Sequence, residues 1–295
     1  MLNEPKISER IVSLFYYIGN LYMTALTPEI ILPNGMKVFY LREEEVLTLY
    51  EQIQEYFRNG IELHEGDTVF DVGANIGLFT LWVHHLCNQN INVFAFEPIP
   101  AIFDVLHANA QRVDSEKLRV FPCGLSRETK IMTFAYHPNA TPLSNAYPGG
   151  LNEVREQLKS TVLKNLKDAP PSIRWLRWLP PFLRAFILDF RLEQAFQIEL
   201  VNCQMRTISD IVRNHNIQQI DLLKVDVEKS ELDVLLGIEE PDWQIIKQVV
   251  IEVHDLDSRV EKITTLLKEH GLSKITIEQE PIFKGSNIFN LYALR

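Results

Sequence analysis

The chain has 295 residues, 46% of them apolar and 23% charged, with a net charge of −10. That length can bury a substantial core, and that balance excludes collagen, coiled coil and intrinsic disorder. An acidic surface repels phosphate backbones and anionic lipid unless a local basic patch intervenes, so no nucleic-acid partner is expected.

No uninterrupted apolar run reaches the ~18 residues of a membrane span, so no integral membrane segment is expected. The nearest approach is residues 11–26, IVSLFYYIGNLYMTAL. There Ile11, Leu14, Phe15 and Ile18 form one stripe of an amphipathic helix. Glu4 and Glu9 lie upstream and no small-x-small site follows, which argues against a signal peptide. The three cysteines, Cys87, Cys123 and Cys203, lack CxxC spacing. They offer neither a disulfide framework nor a zinc site, and a reducing, cytoplasmic setting is expected. Residues 1–60 read as a helical and hairpin lid segment.

From residue 67 short β-rich runs alternate with helical stretches. Strands are expected at DTVFDVG (67–73), NVFAFEP (92–98), LRVFPCG (118–124), DLLKVDV (221–227) and QVVIEVH (248–254). Two final strands, KITIEQE and NIFNLYALR, suggest an antiparallel edge. Apolar runs without strict alternation mark strands buried on both faces, hence a doubly wound, mostly parallel α/β sheet. Residues 61–136 and 200–295 form this core within one structural domain. Between Tyr136 and Phe196 lie seven of the fifteen prolines, which excludes central strands. The run SIRWLRWLPPFLRAFILDFRL (172–192) makes residues 137–199 a helical cap insertion.

The strongest local signal is VFDVGANIG, residues 69–77. Gly73 and Gly77 let a ligand approach the backbone closely. Glu97 ends the next strand, where a carboxylate accepts the ribose hydroxyls of an adenosine. Asp71, just before Gly73, would repel a pyrophosphate but suits an ammonium group. The two acids therefore favour S-adenosylmethionine over a nicotinamide dinucleotide.

FDVGANIG, the FEP of residues 96–98, DLLKVDVEKSELDVLLGI (221–238) and VVIEVHD (249–255) together resemble the FkbM-type methyltransferases. LPNGMKVFYLREEEVLTLYEQI (32–53) and AFEPIPAIFDVL (95–106) are also similar to O-methyltransferase domains of polyketide and peptide–polyketide assembly lines. The resemblance implies a class I, Rossmann-like, adenosylmethionine-dependent O-methyltransferase. It makes Asp71, Gly73, Asn75 and Gly77 the methionine-side loop and Glu97 the ribose acid. Asn109, Gly124 and Leu125 would border the adenine, and Asp226 would lie beside the sulfonium. One departure stands out: the family commonly has Glu-Gly where this chain has Glu228-Lys229-Ser230.

Methyl transfer to an alcohol needs alignment and a base poised near neutrality. His254, at the carboxyl end of the fifth strand, is expected to be that base, with Glu228 holding its tautomer. Glu252 shares a face with His254 and is an alternative partner. A divalent-metal site built from Asp226, Glu228, His254 and Asp255 ranks below the metal-free base. His137 and Asn139 are expected to line the acceptor pocket. The basic, aromatic cap, with Arg174, Arg177 and Arg184, is expected to cover the site or to dock an acyl carrier protein. The acceptor is therefore a small-molecule or carrier-tethered hydroxyl, most simply of a polyketide or related natural product. A glycan or small-metabolite methyltransferase, a nicotinamide-dependent oxidoreductase and an inactive docking domain remain as alternatives.

Overall fold

The computed structural model describes residues 28–113, 115–139, 141, 144, 159, 163, 166, 175–195, 197–279 and 285–295. The stripe expected over residues 11–26 and the side chain of Arg174 lie outside them. The chain divides into two compact units, Thr27–Thr133 with Asn202–Arg295, and Met1–Leu26 with Phe134–Val201.

The larger unit begins with a hairpin, β1 (Glu29–Ile31) and β2 (Lys37–Phe39), and helix α1 (Glu43–Glu55). Val46, Tyr50, Ile53 and Tyr56 recur at helical spacing and are buried. Then β3 (Thr68–Val72), α2 (Leu78–Leu86), β4 (Asn92–Phe96), α3 (Pro100–Gln111) and β5 (Leu118–Phe121) alternate. After the insertion come α5 (Ile208–His215), β9 (Ile220–Val225), α6 (Glu231–Leu235), β10 (Ile246–His254), α7 (Arg259–Glu269), β11 (Lys274–Glu278) and β12 (Ile288–Leu294). Thr207 caps α5 by accepting the Asp210 N–H at 3.0 Å.

Seven strands form one sheet in the order β11-β12-β10-β9-β3-β4-β5. The five from β10 to β5 are parallel, and β12 runs antiparallel to both neighbours. This is the class I methyltransferase arrangement, as expected. Phe70, Phe94, Phe96, Leu223, Val249, Ile251 and Trp243 belong to its dry core. The chain runs outward in one direction through β4 and β5 and in the other through β10. A crevice therefore opens at the carboxyl ends of β3 and β9, where doubly wound sheets bind ligands.

Residues 28–60 belong to this unit. The Phe39 N–H donates to Asn109 Oδ1 at 2.7 Å, and the Tyr292 hydroxyl donates to the Glu55 carbonyl at 2.9 Å.

A second, three-stranded sheet has the order β6-β8-β7, where β6 is Gly124–Leu125, β7 Lys130–Tyr136 and β8 Glu199–Arg206. In the smaller unit, a 3-10 turn (Trp175–Trp178) precedes helix α4 (Pro181–Ala195). Among the described residues, no helix is long and apolar enough to cross a membrane.

Candidate active site

The turn after β3 is fixed from two sides. The Gly73 and Ala74 N–H groups both donate to the Phe96 carbonyl at the tip of β4, at 3.1 and 2.9 Å. From β9, Lys224 Nζ donates to the Gly73 carbonyl at 2.9 Å and to Asp71 Oδ1 at 3.0 Å. The other Asp71 oxygen accepts from Thr80 Oγ1 at 2.6 Å. Burial works against the Lys224 charge, but Asp71, Asp226 and Glu252 outweigh it and hold its pKa above the usual lysine value. Asp226 follows β9 with its side chain 28% exposed, and its Oδ2 accepts from the Tyr56 hydroxyl at 3.0 Å. Glu97 is buried, accepting the Asn75 and Ile99 N–H groups at 3.2 and 2.9 Å. Burial raises its pKa to about 7, against the pull of those two N–H groups.

The second cluster sits at the end of β10. His254 is buried between two carboxylates, with Nε2 at 3.1 Å from Glu228 and Nδ1 at 2.9 Å from Glu231. Glu231 is fully buried, and Arg259 Nη1 donates to its other oxygen at 2.7 Å. Burial alone would lower the imidazole pKa; the hydrogen bonds to Glu228 and Glu231 reverse that and raise it to about 10. A carboxylate on each ring nitrogen favours the imidazolium, which donates from both.

Residues 71–273 match the Methyltransferase FkbM domain. The 31-O-demethyl-FK506 methyltransferase FkbM of Streptomyces tacrolimicus is 38% identical over 267 residues, covering 90% of this chain and 95% of that protein. The chain is an FkbM-type methyltransferase. Similarity also extends to the AMB antimetabolite synthetase AmbE of Pseudomonas aeruginosa, 31% identical over 277 residues. That match covers 90% of this methyltransferase but only 12% of AmbE. The hexuronic acid methyltransferase AglP of Haloferax volcanii is 27% identical over 217 residues, covering 72% of this chain and 66% of AglP.

Several sequence expectations need correction within this methyltransferase. Asp71 does not present a bare carboxylate to a ligand ammonium, because Lys224 and Thr80 already occupy both of its oxygens. Gly73 and Gly77 are also small for a reason within the fold. A Cβ on Gly73 would lie 1.8 Å from the Asp226 carbonyl oxygen, and one on Gly77 would lie 2.6 Å from Leu106 Cδ1. Asn109 is fully buried, and its amide holds backbone: Nδ2 donates to the Phe39 and Ile76 carbonyls at 3.0 and 2.8 Å. It clips β2 to the loop after β3 and has no face left for an adenine. Gly124 and Leu125 are buried strand residues paired with Met205 and Arg206.

The two carboxylates raise the His254 pKa to about 10 rather than leaving it poised near neutrality. Glu228 does hold the imidazole, at Nε2, and Glu231, which the sequence reading missed, holds it at Nδ1. Of the groups weighed for a metal, Asp255 caps α7 by accepting the Val260 N–H at 3.1 Å, and Asp226 holds Tyr56. Glu228, Glu252 and His254 instead bring ligand atoms within 4.8 Å of one another.

In the smaller unit, His137 is fully buried, and neither ring nitrogen has a hydrogen-bond partner among the described residues. Burial lowers its pKa. Asn139 lies in the turn just after it. Arg184 donates to the Leu179 and Arg177 carbonyls at 2.6 and 2.8 Å, so it caps the 3-10 turn rather than standing free for a partner. Arg177 is exposed and stacks over Trp178 at 4.8 Å.

Lys229 explains how the chain does without the family's glycine. It has φ 71°, the left-handed region that glycine enters at no cost. The turn is retained with a strained lysine, whose N–H donates to Glu231 Oε1 at 2.9 Å.

Proposed function

We propose that this methyltransferase uses S-adenosylmethionine to methylate a hydroxyl of a natural-product intermediate, and that the Glu228–His254–Glu231 unit receives the proton. When bound, that donor supplies a methyl group already activated on a sulfonium. The residues suit such a cationic, phosphate-free adenosine. Asp71, Glu97 and Asp226 line neighbouring strand ends, and Lys224 is already shared among the first, the last and the Gly73 carbonyl. A pyrophosphate would meet uncompensated negative charge. Glu97 would hold the ribose hydroxyls, while Asp226 and the loop from Gly73 through Asn75 to Gly77 would hold the amino-acid end.

The observation that carries the proton assignment is the imidazolium clamped between two carboxylates. A ring that donates from both nitrogens has no lone pair for an incoming proton. The Glu228 side chain is 23% exposed whereas Glu231 is fully buried, so Glu228 is the acceptor on the solvent side. As the new C–O bond forms, the hydroxyl proton becomes strongly acidic, and a carboxylate is basic enough to take it. His254 and Glu231 then act by holding Glu228 in place. The relative named for 31-O-demethyl-FK506 supports oxygen as the acceptor atom.

Calorimetric titration tests the donor. Adenosylhomocysteine is expected to bind and NADH is not. Glu97 must be ionised to accept two ribose hydroxyls, and its pKa in the folded protein is about 7. Affinity should therefore rise by about tenfold from pH 6 to pH 8 and level off above. A flat profile would remove Glu97 from the ribose.

The similarity to a short stretch of a large synthetase supports an acceptor delivered on a carrier protein. Exposed Arg177, beside a ridge of exposed Trp178, Phe182, Phe186 and Phe190, is the proposed contact for its acidic surface. Arg177→Glu should lower methylation of a carrier-bound substrate by about tenfold while sparing a small thioester analogue. Equal losses would exclude docking there.

A further inference from the structure

A lysine near the carboxyl end of a central strand is an unusual choice. Every neighbour in IDLLKV that faces the core is apolar, and the Lys224 side chain is only 4% exposed. Burying an ammonium is unfavourable unless it is fully paired, and a well-packed apolar residue would serve the sheet at least as well. The pairing must therefore do something that packing does not.

Lys224 lies directly opposite Asp71 in the parallel β3–β9 register. Its ammonium reaches past the strand end to Asp71 Oδ1 at 3.0 Å, the Gly73 carbonyl at 2.9 Å and Asp226 Oδ2 at 3.8 Å. The rings of Tyr56 and Phe79 wall it in, each centred 5.7 Å away. Asp71 continues the chain of contacts to Thr80 on α2. The start of the loop is held from β4 by the Phe96 carbonyl and from β9 by Lys224. Without Lys224, the Gly73 carbonyl has no fixed direction on the β9 side, and two acids face each other across the crevice.

We infer that Lys224 is a positioning residue for the methyl donor, acting through the Gly73 carbonyl and the Asp71 carboxylate to hold the loop of residues 73–77 in its binding geometry. This rests on the donor proposed above. Partners that orient a binding group without touching the ligand typically carry about a 10–100-fold share of its affinity. In that proposal the loop holds the amino-acid end of the donor, so the loss is expected to fall on donor binding more than on the methyl-transfer step.

Lys224→Met leaves Asp71 charged and alone in the interior, so its instability would be uninformative. The paired variant Lys224→Met/Asp71→Asn removes both charges and keeps both shapes. It is expected to retain the wild-type near-ultraviolet circular dichroism, with adenosylhomocysteine Kd and donor KM raised at least about tenfold. The kcat at saturating donor should stay within about threefold of wild type. An unchanged donor KM in the folded double variant overturns the inference. Loss of the fold in the double variant also overturns it, because Lys224 would then be part of the scaffold. Failure of the wild-type protein to bind adenosylhomocysteine would instead remove the donor assignment on which it rests.

Discussion

Replacing Glu228 with Gln is expected to cut turnover by about 10²–10⁴-fold at saturating donor and acceptor, the usual weight of a positioned acid or base. The amide keeps the size of the side chain and still accepts from His254, but it cannot take a proton. Adenosylhomocysteine affinity should be nearly unchanged, because Glu228 is not among the groups that would hold the donor. His254→Ala should lose activity in the same direction, since Glu228 and Glu231 both lose the ring that holds them. The pH profile separates this arrangement from a neutral-imidazole base. His254 has its pKa raised from 6.5 to about 10, so it keeps its proton through the neutral range and loses it only as the pH climbs through about 10. With donor saturating, kcat should be flat from about pH 6 to about pH 9. A limb near 6.5 that disappears in His254→Ala would return the base role to the imidazole.

The main sheet was legible because parallel strands buried on both faces leave largely apolar runs without strict alternation, as in VFDV, NVFAF and VVIEV, where the acids Asp71 and Glu252 are themselves buried. The second sheet was not. Its strand β6 has two residues, and β8, ELVNCQMR, is largely exposed at its start, so neither presents an apolar run. The acids at the strand ends could be found from motif position, but their partners could not. Nothing in the spacing from Asp71 to Lys224 reveals that they sit opposite each other, because strand register across a crossover is settled by packing. Glu231 left no trace either, because it follows Glu228 across a left-handed turn at Lys229 that precedes the helix. Asn109 looked like a polar helix residue able to meet a ligand. Its amide saturates two backbone segments far away in sequence, which only the folded chain brings together.

The glycines give the sharpest stability ranking, and it follows from what a Cβ would meet. Gly35, Gly73 and Gly77 all have positive φ, at 84°, 77° and 87°, so alanine at any of them carries about 1–2 kcal/mol of backbone strain. At Gly35 that is the whole cost, because no atom lies within 4 Å of the added carbon. At Gly77 the obstacle is Leu106 Cδ1 at 2.6 Å, the tip of a side chain that can rotate, and overpacking raises the total to about 2–4 kcal/mol. At Gly73 the carbon would fall 1.8 Å from the Asp226 carbonyl oxygen and 2.8 Å from its carbon. That is backbone at the tip of a central strand, and it cannot move without breaking the bond from the Asp226 N–H to the Val72 carbonyl. Gly73→Ala is therefore expected to cost more than about 5 kcal/mol, a large part of a domain's whole stability. Urea unfolding of the three variants should give midpoints falling in the order Gly35, Gly77, Gly73. If Gly73→Ala unfolded like Gly77→Ala and lost only donor affinity, the glycine would be there for the ligand after all, and the close approach of β3 and β9 would be looser than its geometry requires.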